Sequence, residues 1–176
     1  MARYPKDEII RTNLEEHPAA RAWSRIEPQY AELLWIKVLK KQKSSRQKSA
    51  VYRLASTNGK DRSVIAKRCL RSTWETERII YEDILPRLSV TSLNCYGSWE
   101  EPDSEFCWLF LEDSGGKEYS TKFDTERRLF TKLMAEIHTT SADMLLPGLL
   151  PDRGMNHYAN HLEVGRGRIL ESLNNP

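Results

Sequence analysis

The chain has 176 residues, with 27 Lys and Arg against 25 Asp and Glu, 39% hydrophobic and 30% charged residues. That length supports one domain, or one domain and the start of a second, and the composition suits a globular chain rather than a disordered or fibrous one. The longest apolar runs, such as Cys107 to Leu111, fall far short of the about 20 residues of a membrane span, and the N-terminus has no apolar core of a secretory signal, so neither a membrane partner nor export is expected.

In chain order, the first ~30 residues read as helical, with Ile9, Ile10, Leu14, Trp23 and Ile26 weakly periodic and Pro18 and Pro28 interrupting them. Leu33 to Leu39 is rich in apolar and β-branched residues and predicts a strand. A basic, serine-bearing loop runs from Lys40 to Lys48. Ala50 to Ala55 predicts a second strand, an Asn58-Gly59 turn follows, and Ser63 to Cys69 predicts a third. Ser72-Thr73-Trp74-Glu75 matches a capping box, so a helix is expected from Ser72 to about Leu85, ahead of Pro86. Leu93 to Trp99 is strand-like, and Phe106 to Leu111, apolar on both faces, predicts a central strand ending at Gly115-Gly116. Phe130, Leu133 and Ile137, and then Tyr158, Leu162, Ile169 and Leu173, fall at helical spacing. The expected fold is α+β with a five-stranded, mostly antiparallel sheet. Its parts are an N-terminal helical segment (1–32), the sheet-bearing lobe (33–116) and helices (117–176).

The charge is unevenly spread. From Leu33 to Lys60 there are eight basic residues and no acidic one, and from Glu100 to Glu118 seven acidic residues and one Lys. A basic segment in a near-neutral chain points to one anionic ligand site rather than a nucleic-acid surface. An RNA-binding use of the basic loop would need aromatic side chains among its cations, and the loop has none. Cys69, Cys95 and Cys107, odd in number and without a CxxC, read as reduced, buried thiols of a cytoplasmic protein. His17, His138, His157 and His161 show no metal-ligand pattern, and no metal site is expected from them.

Four segments bear on chemistry. Lys67 shares a strand face with Ile65 and Cys69, an otherwise apolar row. Alone it reads as an edge-strand lysine pointing into solvent. Glu77 falls on the same helix face as Tyr81, Ile84 and Leu88, and a carboxylate on a core-facing stripe calls for a cation. Lys67 is the natural partner. A Lys held by a Glu presents a fixed ammonium to the phosphates of a nucleotide. In the basic loop, Ser44, Ser45, Arg46 and Lys48, with backbone N–H groups, could contact phosphates; a solvated turn is the equal alternative. Leu111-Glu112-Asp113-Ser114-Gly115-Gly116 follows a buried strand and could offer backbone groups to a base edge; by itself it is a turn.

Together these segments resemble the N-terminal lobe of the aminoglycoside phosphotransferase-like family, relatives of choline kinases and protein kinases. The resemblance runs from about Leu33 to Ala142 and rests on the order of Ser49-Ala50-Val51-Tyr52-Arg53-Leu54, Val64-Ile65-Ala66-Lys67, Glu77-Arg78-Ile79-Ile80-Tyr81, Leu85-Pro86-Arg87-Leu88, Cys95-Tyr96-Gly97, Trp108 to Gly116, and Leu133-Met134-Ala135-Glu136-Ile137-His138. It implies ATP as the nucleotide, a small-molecule hydroxyl as the acceptor, and Mg2+. Lys67 would hold the α- and β-phosphates, with Glu77 paired to it. Leu111 would back the adenine pocket, and the backbone of Glu112 and Ser114 would contact adenine.

Two departures accompany it. The loop from Lys40 to Lys48 has no glycine, where protein kinases place a Gly-rich loop. The family's catalytic His-Gly-Asp and second, magnesium-binding Asp have no counterpart, since no His-x-Asp occurs. The chain alone is therefore expected to lack transfer activity, with the magnesium ligands outside it. A non-catalytic nucleotide-binding or regulatory module of pseudokinase type is the alternative.

Overall fold

The computed structural model describes residues 8–28, 32–40, 49–56, 63–115, 119–142, 144, 150–151 and 153–174. The chain divides into two units, Met1–Met144 and Leu145–Pro176. The first is α+β. Six strands, β1 (Glu8–Ile10), β2 (Leu33–Lys40), β3 (Ser49–Ser56), β4 (Ser63–Leu70), β5 (Cys95–Glu100) and β6 (Phe106–Glu112), form one antiparallel sheet in the order β1-β2-β3-β4-β6-β5. With them are α1 (Pro18–Ile26), α2 (Arg71–Arg78) and α3 (Asp124–Ser141); α4 (Met155–Asn174) lies in the second unit.

The sheet has six strands, not the expected five, and the sixth comes from the segment read as helical. Ile9 and Ile10 do not form a helix; Glu8, Ile9 and Ile10 pair with Val38, Lys37 and Ile36 along the outer edge of β2. Three residues are too few to display a period of two, and the neighbouring strand supplies the hydrogen bonds that favour extension.

Helix α1 begins where the sequence permits, with Pro18 at the first helical position and the His17 ring accepting the Ala19 N–H at 3.2 Å. It ends at Ile26, because the residue before Pro28 is steered out of the helical region, and Glu27 has φ −132° and ψ 77°. Its buried stripe is Ala19, Ala20, Ala22 and Trp23. These pack on one face of the sheet with Ile36, Leu54, Val64, Ala66, Trp108 and Phe110. A run of ring contacts crosses this face: His17 with Tyr52 (4.9 Å), Tyr52 with Trp108 (6.0 Å), Trp108 with Phe110 (6.2 Å), and Trp23 with Phe110 (5.2 Å) and Tyr96 (6.1 Å). Gly97 lies at a register shift in β5 with φ +138°, a conformation that strains any side chain, and a Cβ there would sit 3.1 Å from the Ile26 side chain at the end of α1.

Helix α2 covers the opposite face, where Cys69, Trp74, Cys107, Leu109 and Leu111 form a second core. The capping box does not form. The helix starts one residue earlier, at Arg71, with no side-chain cap, and Glu75 is exposed. The Arg71 N–H donates instead to the Glu105 carbonyl at 2.8 Å, so the β5–β6 hairpin satisfies a donor that a cap would otherwise take. Beyond Arg78 the helix widens into a π-helical stretch, Ile79–Ile84, then a 3₁₀ turn, Leu85–Arg87. β6 is central, as its two-faced apolar pattern implies, with Cys107 to Leu111 all buried between β4 and β5.

Helices α3 and α4 are helical where the spacing predicts, but their apolar residues face outward. Leu129, Phe130 and Leu133 on α3, and Met155, Tyr158, Leu162, Ile169 and Leu173 on α4, are exposed. No helix among the described residues is long and apolar enough to cross a membrane.

Candidate functional site

Strand alternation and the position of α2 bring Lys67 and Glu77 together. Lys67 lies in the middle of β4, opposite Val51 of β3 and Leu109 of β6. Its side chain rises from the face that α2 covers. Its Nζ contacts both carboxylate oxygens of Glu77, at 2.5 and 2.6 Å. The two side chains are 26% and 24% exposed, so the pair is partly withdrawn from water yet open to a ligand.

Three contacts fix α2 and its π-helical extension over this face. The Trp74 indole N–H donates to the Trp108 carbonyl at 3.1 Å. The Ser98 hydroxyl donates to Glu82 at 3.1 Å. The Arg71 N–H bond to Glu105 holds the helix start. Glu77 is thereby presented to Lys67 by a helix with little freedom to swing away.

The Glu77 charge is felt by its neighbours. Burial raises the Tyr81 phenol above its ordinary pKa, and the Glu77 carboxylate adds to the rise while Lys67 opposes it. The Cys69 thiol is pushed up to about 11, by burial first and by Glu77 second. Both groups stay protonated near neutrality, so neither supplies a nucleophile beside the ion pair.

Leu111 is buried in the same core, paired with Ile65 of β4. Glu112 ends β6: its N–H donates to the Asn94 carbonyl at 2.8 Å, and its carboxylate accepts from the Asn94 N–H (3.1 Å) and side-chain amide (2.8 Å). Ser114 is exposed. Ser44, Ser45 and Lys48 lie outside the described residues, as do the Asn58-Gly59 turn and Gly116.

Sequence reasoning passed over Asp113, whose side chain is only 6% exposed. Its carboxylate accepts from the Ser63 hydroxyl, from Arg53 Nη2 at 3.0 Å and from the Gly115 N–H at 3.1 Å. Arg53 Nε sits 2.6 Å away, at ion-pair distance but off the line of a hydrogen bond. Burial pushes the Asp113 pKa up, but the Ser63 and Gly115 donors and the Arg53 guanidinium together outweigh it and hold the pKa below its ordinary value. The only local hint was the Asp-x-Gly spacing of an Asx turn.

A cavity of about 370 Å³ lies on the other face of the sheet, beside the start of α1, lined by Glu8, Ile10, His17, Val38, Ala50, Tyr52 and Arg68. Several of its polar groups are engaged within the protein. Arg68 pairs with Glu101 at 2.7 Å and lies 4.1 Å over the Phe106 ring, and His17 Nδ1 takes the helix N–H. The cavity therefore does not coincide with the Lys67–Glu77 pair.

On α4, the His157 and His161 rings meet edge to face, 4.5 Å between centroids. Among the described residues no group of three or more His, Cys, Asp or Glu is placed to hold a metal ion. Comparison of the chain with known protein families, with curated proteins and with solved structures found no match in any of the three.

Proposed function

We propose that this chain is the ATP-binding portion of a phosphotransferase with a protein kinase-like lobe, whose acceptor is a small-molecule hydroxyl. The observation that supports the reading is the two-oxygen contact between Lys67 and Glu77, partly exposed on the face of the sheet that α2 covers. A lysine that serves only solubility has no need of a helix carboxylate held against it. A lysine that receives phosphates does, because the carboxylate fixes its position before the ligand arrives.

The surroundings fit a nucleotide in kind. Lys67 offers a cation for phosphate oxygens, Ile65 and Leu111 supply apolar surface on the same face, and the segment from Glu112 to Gly115 leaves β6 next to them. After β1 and α1, the run β2-β3-β4, α2, β5-β6 has the order that the resemblance implies for the lobe. A magnesium ion would neutralise charge on the phosphates when bound. The described residues do not assemble ligands for one, so no step is assigned to it.

Calorimetry with ATP tests the reading. Lys67→Ala should weaken ATP binding about tenfold or more, the loss of one charge-assisted contact, whereas Lys132→Ala on the exposed part of α3 should change it less than about twofold. Equal losses in the two variants, or no ATP binding by the unaltered chain, would refute it.

A further inference from the structure

We propose that Asp113 is a positioning residue for the base end of this site: it presets the backbone of the segment leaving β6 so that a planar, hydrogen-bonding ligand edge can dock there. The proposal rests on the nucleotide reading above and deepens it.

The segment is held at two points by chemistry that its surface position does not require. Upstream, Asn94 takes the Glu112 N–H and returns two donors to the Glu112 carboxylate. Downstream, the Asp113 carboxylate is turned inward and gathers Ser63 from β4, Arg53 from β3 and the Gly115 N–H from its own loop. Gly115 adopts φ +59°, the left-handed conformation that closes this turn. Nothing in β6 needs a buried carboxylate at its end; an apolar residue would close the core without desolvating a charge.

What the carboxylate does is tie the residues that leave β6, Asp113 to Gly115, to two strands that are distant in sequence. A backbone fixed in this way presents N–H and C=O groups at set positions, and a ligand then binds without having to order them. The ligand class follows from the nucleotide reading: a flat heterocycle with adjacent donor and acceptor atoms, the complement of a peptide edge.

The test uses the whole chain with three variants, Asp113→Ala, Asp113→Asn and Ser63→Ala. The last removes one hydroxyl and leaves the Arg53 contact, so it remains informative if the Asp113 variants fold poorly. Two readouts apply: amide exchange at Gly115 in the ligand-free protein, and separate affinities for adenosine and for inorganic triphosphate. The expected result is faster Gly115 exchange, by about tenfold in Asp113→Ala and less in Ser63→Ala, because a hydrogen bond of ordinary strength is lost. Adenosine binding should fall in parallel while triphosphate binding stays within about twofold. Unchanged Gly115 exchange, or equal loss of both ligands, would overturn the assignment of Asp113 while leaving the nucleotide reading standing. Failure of the unaltered chain to bind either ligand would overturn the nucleotide reading, and this proposal with it, before any variant is compared.

Discussion

The two faces of the sheet are built from different materials. Under α1 the contacts are mainly aromatic and aliphatic, with the Arg68–Glu101 pair at the sheet margin, and Ile36, Trp108 and Phe110 have almost no access to water. Under α2 and beyond it, the apolar core is narrower and two ion pairs sit at its margin, Lys67 with Glu77 and Arg53 with Asp113. Dispersion and burial are indifferent to exact angles and give stability. Charges half-withdrawn from water give little net stability, yet they fix direction. One face supplies most of the buried core, and the other holds the Lys67–Glu77 and Arg53–Asp113 pairs in fixed directions.

Substitutions on each face should break this contrast in order of size. Trp108→Ala, which removes the largest fully buried side chain of the α1 face, should cost roughly 3–5 kcal/mol in urea unfolding, enough to threaten folding altogether. On the other face, Lys67→Met and Glu77→Gln should each cost about 1–2 kcal/mol, and a double-mutant cycle should return a coupling of about 1 kcal/mol, between the values for exposed and buried pairs. A coupling near zero would mean that the ion pair contributes no order to α2.

Acid should act on the faces in separate windows. On the α1 face, burial and the Arg21 charge lower the pKa of His17 from 6.5. Its folded-state pKa is depressed, so its contribution is complete above pH 6.5 and is lost as pH falls below that value, when a proton on Nδ1 displaces the Ala19 N–H. On the α2 face, Asp113 is depressed from 3.8, so its contribution persists to lower pH and fades only below that value. Unfolding free energy measured from pH 8 to pH 3 should decline in both windows. His17→Asn, which keeps a capping oxygen, should flatten the upper one, and Asp113→Asn the lower. The smallest effect is expected away from both faces: Leu129→Ala on α3, at a position 70% exposed, should shift stability by less than about 0.5 kcal/mol.

What the sequence revealed divides along the same physical line. The strands β2 to β6 were legible to within a residue or two, because alternation and apolar runs are written locally. The Lys67–Glu77 pair was legible for the same reason: two local periodicities, one of strand and one of helix, aimed the side chains toward each other across ten residues. Strand β1 was not legible, because its pairing belongs to β2. The start of α2 was misread because a carbonyl of the β5–β6 hairpin, Glu105, does the work of a cap. Asp113 was invisible as a cluster because Arg53 lies 60 residues away and Ser63 lies 50. Contacts of that separation are set by topology, which no short motif records.

Trp74 gives the position of α2 an optical signature. Its indole hydrogen-bonds across to the sheet and lies 5.5 Å from the Arg78 guanidinium of its own helix, so its excited state senses a sheet carbonyl dipole that is in reach only while the helix is seated. With Trp23, Trp35, Trp99 and Trp108 replaced by phenylalanine one at a time or together, the emission maximum of Trp74 becomes a spectral gauge of helix seating, readable in solution without any ligand or label.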